Sequence, residues 1–269
     1  MNETTDPERE ARGGAERTPG GAPHAPPALR LLASPALWLL ALIAVAALWV
    51  SRPGSTPRPG SGPVVLSRLS GAVASPALSP DGRLLAFSWD RESRGNADLW
   101  VRDLRSGALT RLTTDPAAEG SPAFSPDGRR IAFLRFASPE RTQVLVVPAG
   151  GGAERVVAEG RIVRPGMTWS RDGRALVVAE RATIGEASHL CRLSVETGEK
   201  AVLTRPPALY RAGDSAPSLS PDGRTLAFAR HVSGTSGELW LLAVTDDLAA
   251  AGEPVALCEE GWDSGGNAW

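Results

Sequence analysis

From about residue 63 onward, short apolar runs alternate with turn-forming polar residues, and the alternation repeats four times in register. The runs Leu84–Phe87, Ile131–Leu134, Leu176–Ala179 and Leu226–Ala229 each follow one phrase: Ser79-Pro80-Asp81-Gly82, Ser125-Pro126-Asp127-Gly128, Ser170-Arg171-Asp172-Gly173 and Ser220-Pro221-Asp222-Gly223. Short apolar runs bounded by turn signals read as buried strands. A second set follows at a nearly constant offset: Leu99–Val101, Val144–Val147, Leu190–Leu193 and Leu239–Leu242. A third, more polar set comes next, Thr110–Thr113, Glu154–Val157, Ala201–Thr204 and Pro254–Leu257, and its polarity suits an outer edge. With the apolar strand ahead of each turn, every repeat predicts four strands.

The phrase has a physical reading as a turn. Pro at the second position presets φ, Ser and Asp hydrogen-bond local backbone, and Gly tolerates an unusual φ/ψ. Arg171 replaces Pro in the third copy, which a type I turn allows. Asp81, Gly82, Asp127, Gly128, Asp172, Gly173, Asp222 and Gly223 are therefore read as structural turn residues. The aspartates recur every 45–50 residues, a period that signals a repeat architecture with one four-stranded propeller blade per repeat. The fold class expected is all-β, a β-propeller.

These turns and their period resemble the TolB-type, WD-repeat-like β-propeller family over roughly residues 63–269. The resemblance implies six blades when complete. Trp269 aligns with Leu78, Phe124, Trp169 and Leu219, each three residues before a turn aspartate. The expectation is thus four blades plus the start of a fifth, in a C-terminally truncated fragment. The segment Val64–Leu69 reads as an outer strand without a blade of its own, one that would close the ring. Function follows less directly, because one fold hosts many activities.

Leu31–Val50 is free of charged residues and long enough at 1.5 Å per residue to cross a bilayer core of about 30 Å. A cleaved signal peptide competes with a retained anchor, since Ala44-Val45-Ala46 has the small-x-small form. The long, mixed-charge stretch ahead of it, with Arg9, Arg12, Arg17 and Arg30 against Glu3, Asp6, Glu8, Glu10 and Glu16, is unlike a short basic n-region and favours the anchor. Residues 1–30 then form a disordered cytoplasmic tail, 31–50 a transmembrane helix, 51–62 a Pro/Gly/Ser linker and 63–269 the partial propeller. Arginines flank the span evenly, so the positive-inside count is a tie. The family resemblance breaks it and implies a single-pass protein of a bacterial inner membrane, with an extracytoplasmic, periplasmic propeller.

Composition adds exclusions. A net charge of −1 over 269 residues gives no basic field for nucleic acid, while 29 Gly and 23 Pro suit a turn-dense β protein. Lys200 is the single lysine. No Gly-x-Ser-x-Gly elbow occurs. Asp263-Ser264-Gly265-Gly266 superficially resembles the nucleophile motif of trypsin-like proteases, but Trp262 stands where that motif has Gly, and a Gly-rich turn is the better reading. His24, His189 and His231 are scattered over tail, strand start and loop, and no paired His or Cys spacing suggests zinc. No cofactor and no catalytic residue are expected. Gly150-Gly151-Gly152 reads as a hairpin turn. Cys191 and Cys258 fall at inner and outer positions of neighbouring blades, where free buried thiols are a better reading than a bridge.

What remains for function is loop surface, where rigid scaffolds concentrate binding residues. The connections 88–98, 136–143, 180–189 and 230–238, and those at 114–121, 158–166 and 204–216, are expected to share one face. Arg161 and Arg164 in one loop, with Arg205, Tyr210, Arg211 and Asp214 in the next, would gather guanidiniums and a phenol near the channel mouth. Arg and Tyr are favoured interface anchors, and such a cluster suits an acidic peptide or anionic ligand. A solvated loop is the plainer alternative. Three readings follow: a membrane-anchored, non-catalytic scaffold binding a protein or peptide partner; the substrate-gating propeller of a prolyl-oligopeptidase-like serine peptidase; or the sensor domain of a membrane-bound regulator.

Overall fold

A computed structural model describes residues 69–257 apart from residues 93, 234 and 235 and the side chains at 164 and 165. The expected tail, transmembrane helix and linker, nearly all of Val64–Leu69, Cys258 and Asp263–Gly266 lie outside the described residues. Among the described residues no helix is long and apolar enough to cross a membrane.

The strands form four antiparallel sheets, each a simple meander in chain order. The first holds β1 (Ala72–Leu78), β2 (Leu84–Asp90), β3 (Asp98–Asp103) and β4 (Leu109–Arg111). The second holds β5 (Glu119–Phe124), β6 (Arg130–Ser138), β7 (Arg141–Pro148) and β8 (Arg155–Gly160). The third holds β9 (Ile162–Trp169), β10 (Ala175–Glu180), β11 (His189–Ser194) and β12 (Lys200–Val202). The fourth holds β13 (Gly213–Leu219), β14 (Thr225–His231), β15 (Gly237–Ala243) and β16 (Val255–Ala256). Consecutive first strands touch, β1 on β5, β5 on β9 and β9 on β13, so the sheets fan out from a common axis as propeller blades do.

The second and third sheets bury both faces, because successive strand side chains point to opposite sides and a neighbouring sheet covers each. Ile131 and Phe133 pack towards the first sheet with Ala86, Leu99 and Leu145, while Ala132 and Leu134 pack towards the third with Trp169, Leu176 and Val178. Leu226 and Phe228 of the fourth sheet fill a further core with Val177 and Leu190 of the third. Cys191 is a buried free thiol, and burial pushes its pKa up to about 11.

The repeated phrase builds one turn four times. In the first copy the Ser79 carbonyl accepts from Gly82 N at 2.8 Å, closing the turn, so it cannot also serve the strand ladder. The Ser79 hydroxyl takes over that duty, accepting from Leu84 N at 2.8 Å while donating to Asp81 Oδ1 at 2.6 Å. Asp81 Oδ1 also accepts from Arg83 N at 3.0 Å. Gly82 has a φ of 67°, in the left-handed region where a side chain is disfavoured. The copies at Ser125, Ser170 and Ser220 repeat the arrangement, Arg171 included.

A second repeated device carries no phrase shared by all four repeats. Ser75, Ser121 and Ala216 have φ of 50–53°, and Gly166 of 87°, each three residues before the end of its first strand. Each sits in a break of register against the second strand. Left-handed backbone costs a non-glycine residue about 1–2 kcal/mol. In three cases the next residue is proline, which has no N–H for the bulge to leave unpaired.

Two expected loops are strand instead. The 136–143 connection shrinks to Pro139-Glu140, because β6 runs to Ser138 and β7 starts at Arg141. The 158–166 connection shrinks to Arg161 alone, between β8 and β9. Cross-strand polar pairs extend the sheet: Arg141 makes two hydrogen bonds of 2.8 Å to Glu159, and Gln143 a third.

Candidate binding surface between the third and fourth blades

Connections from second to third strand and from fourth strand to the next sheet emerge on one face, and the predicted cluster divides there into two halves. Arg161 bridges blades: Nη1 donates to the Ala182 carbonyl at 2.6 Å and Nη2 to Glu140 at 3.1 Å. It lines a groove of about 430 Å³ with Arg181, Ile184 and Pro139. Arg164 lies within β9, not on a loop.

The other half centres on a buried ion pair. Asp214 was expected on the loop; it belongs to β13, is 0% exposed, and accepts from Arg230 Nε at 2.7 Å and Nη2 at 3.0 Å. Its position is set by the main chain, since Asp214 N donates to the Ser188 carbonyl at 2.8 Å. Gly213, with φ of 80°, is required at this approach because a β-carbon would run into the Ser188 backbone. The Arg230 guanidinium lies 4.5 Å from the Trp240 ring, 5.3 Å from Phe228 and 5.6 Å from Tyr210. This aromatic cage desolvates the pair and adds cation–π attraction. Tyr210 meets Trp240 edge-on at 5.8 Å. The Tyr210 hydroxyl and Trp240 Nε1 both donate to Glu238 Oε2 at 3.0 Å. Burial, then the bond to Glu238, push the Tyr210 phenol up, so it stays a protonated donor.

Of the predicted residues, then, Tyr210 and Asp214 are spent on holding the loop down. Arg205 and Arg211 are exposed on that same loop, with no ion-pair partner among the described residues, and Leu209 beside them is 66% exposed. Arg230, Trp240 and Glu238 were missed as individual residues. Their signal was present: a charged residue closing an otherwise apolar second strand implies a charged partner on its neighbour.

Next to this pair the Ser215 hydroxyl and His231 Nε2 are 2.9 Å apart. His231 lies at the end of β14, not in a loop. A serine–histidine contact becomes nucleophilic machinery when a third group orients the imidazole. Here His231 Nδ1 is buried without a partner, and the adjacent Asp214 carboxylate is turned to Arg230. Burial lowers the His231 pKa. Among the described residues no three His, Cys, Asp or Glu side chains converge as a metal site.

The comparisons agree with this architecture. A family profile described as "TolB beta propeller domain" matches residues 61–250. The chain is 32% identical over 168 residues to the uncharacterized peptidase YuxL of Bacillus subtilis, an alignment covering 60% of this chain but 22% of that protein. TolB from Acinetobacter baumannii superposes with a TM-score of 0.57 at 22% identity, over 76% of this chain and 48% of that one. Prolyl oligopeptidase B from Galerina marginata gives 0.51 at 14% identity, over 71% and 31%. The chain therefore spans about a fifth of the peptidase relative and about half of the TolB chain. At these identities the superpositions speak for the fold. Together with the family match over residues 61–250 and the four repeated turns, they establish that this chain belongs to the TolB-type β-propeller family.

Proposed function

We propose that this chain is a non-catalytic binding scaffold of the bacterial cell envelope, anchored through residues 31–50 and presenting its loop face to a protein or peptide with acidic character. The observation that carries the reading is the free pair of guanidiniums, Arg205 and Arg211, beside exposed Leu209. Their loop is seated by Tyr210 on the buried Asp214–Arg230 pair. Fixed cations around an exposed aliphatic side chain suit a carboxylate-bearing partner, with Arg161 extending the surface between the second and third sheets. The test is fluorescence anisotropy with a library of acidic peptides. For any binder found, Arg205→Ala with Arg211→Ala should weaken affinity about five- to tenfold, as for two solvent-exposed ion pairs, while unchanged affinity defeats the proposed surface. Alkaline carbonate washing of membranes tests the anchor: the chain stays with the bilayer, and its release overturns that part.

The 32% identity to a protein named as a peptidase favours a second reading, in which this propeller gates a serine hydrolase domain encoded further along the same chain. Reading the coding sequence past Trp269 separates the two. A downstream nucleophile elbow followed by Asp and His supports the peptidase; further blades and a stop codon support the scaffold.

A further inference from the structure

The first and fourth blades carry the same constellation at the loop-side end, and only one of them is closed. In the fourth, Glu238 stands across from Arg230, Trp240 across from Phe228, and Glu238 accepts from both Trp240 Nε1 and Tyr210. In the first, Asp98 stands across from Trp89 and Trp100 across from Phe87. Asp98 is one methylene shorter than Glu238, and the bond to the indole is not made. Trp100 Nε1 and Asp98 Oδ1 are both buried with no partner, as is Asn96 Oδ1. Asp98 is only 7% exposed, and its other oxygen is held by Arg111 Nη2 at 2.7 Å. Leu69, with no hydroxyl, stands three residues before β1 and packs on the cluster that holds Phe87 and Trp89, as Tyr210 stands three residues before β13.

All three orphaned atoms belong to residues that line one pocket of about 280 Å³. A buried polar atom without a partner costs about 1–3 kcal/mol, so three around one opening mark a place built for a bound polar group. We propose that this pocket in the first blade binds a small, neutral, hydroxyl-rich molecule, a polyol or a single sugar ring.

The chemistry follows from the orphans. Trp100 Nε1 can only donate, whereas Asp98 Oδ1 and Asn96 Oδ1 can only accept. An ammonium would leave the indole unpaired, and a carboxylate would leave both acceptors unpaired. A hydroxyl donates and accepts through the same oxygen, so neighbouring hydroxyls satisfy all three. Charge agrees: Asp90, Glu92 and Asp98 face Arg91, Arg94 and Arg111, three of each sign, and the field at the pocket selects no ion. The floor is preformed, since Asp90 accepts from Arg94 N at 3.1 Å and Gly95 N at 2.6 Å. The volume sits at the small end of ligand pockets, which limits the occupant to one ring or a short chain.

The test is saturation-transfer NMR on the full 269-residue chain, in a detergent without sugar headgroups, with myo-inositol, glucose and glycerol as probes and ethanolamine and acetate as ionic controls. Saturable binding of at least one polyol is expected, and Trp100→Phe should weaken it about five- to tenfold by removing the one donor among the three orphaned atoms. Asp98→Glu supplies the missing methylene and reproduces the arrangement of Glu238 with Trp240. It should abolish polyol binding while leaving the melting temperature equal or higher, which separates loss of a site from loss of the fold. Absence of saturable polyol binding, a preference for either ionic control, or wild-type affinity in Asp98→Glu would each overturn the assignment.

Discussion

The first and fourth blades show two physical solutions at one backbone position. Where β13 and β14 place Asp214 across from Arg230, β1 and β2 place Val73 across from Trp89. Trp89 packs edge-on against Trp100 at 4.9 Å, and Arg230 lies over Trp240 at 4.5 Å. The aromatic solution needs contact and one acceptor, the Ser70 carbonyl that takes Trp89 Nε1 at 2.7 Å. The ionic one needs a bidentate partner and three rings to keep water out, because taking both charges out of water costs several kcal/mol per ion. The second blade uses the ionic solution with a shared cation: Glu119 pairs with Arg135 at 2.6 Å, but Arg135 also reaches Glu154 and Asp115. Burial pushes the Glu119 carboxyl up in spite of Thr113 and Arg135. Such pairs are therefore expected to set register and loop position more than net stability.

The sharpest way to break this comparison is to remove one charge. Asp214→Ala strands the Arg230 guanidinium, which is 2% exposed and makes no ion pair with any other carboxylate among the described residues. Urea unfolding should show a loss of about 3–5 kcal/mol. The double change Asp214→Val with Arg230→Trp rewrites the fourth blade as the first, and stability should return to within about 1 kcal/mol of the parent, since well-packed apolar replacements of buried pairs are often neutral. A double variant as damaged as the single one would show that the two positions are not interchangeable.

A smaller effect is expected in the second blade. Glu119→Gln leaves Arg135 its Glu154 and Asp115 partners and removes a carboxylate that burial already disfavours. A carboxyl whose folded pKa is raised contributes stability below its unfolded pKa and loses it as pH rises through the folded value. At neutral pH the substitution should thus cost less than about 1 kcal/mol, against several for Asp214→Ala. Equal losses at the two sites would erase the distinction between a shared and a solitary arginine.

The fold was legible because each turn writes its own hydrogen bonds into four letters. Ser supplies a hydroxyl that replaces its committed carbonyl, Asp accepts from that hydroxyl, and Gly takes the left-handed φ. The inner bulges were not legible, because Ser75, Ser121 and Ala216 each precede a proline, a setting that ordinarily favours extended rather than left-handed backbone, and Gly166 has no proline after it. The loop face was half legible. Arg205 and Arg211 stay exposed as expected, but Arg164 and Asp214 belong to strands whose length is set by partners far away in sequence, such as Ser188. Whether a polar residue ending a strand is free or paired depends on its cross-strand neighbour, and one chain read in order does not show that neighbour.

The opposite face offers the smallest effect and the cleanest contrast, because there all four blades agree. Asp81, Asp127 and Asp222 are held below their ordinary value of 3.8 first by the Ser hydroxyl of the same turn. Partial burial works against Asp172, yet the Ser170 hydroxyl and Arg174 N still bring it below 3.8. A depressed carboxylate contributes stability that is complete above the unfolded pKa and is lost as pH falls through the folded one. Melting temperature should therefore decline as pH is taken from neutrality to below 3.8. Replacing the four aspartates with Asn should flatten that decline while lowering the plateau slightly. The same four substitutions should leave the gap between Asp214→Ala and Glu119→Gln unchanged, because residues far apart with no shared partner add independently. An unaltered acid slope would mean that stability below pH 3.8 is governed by other carboxylates such as Asp103, which backbone donors led by Ser106 hold at about 2. The turns would then contribute geometry without contributing to the pH dependence.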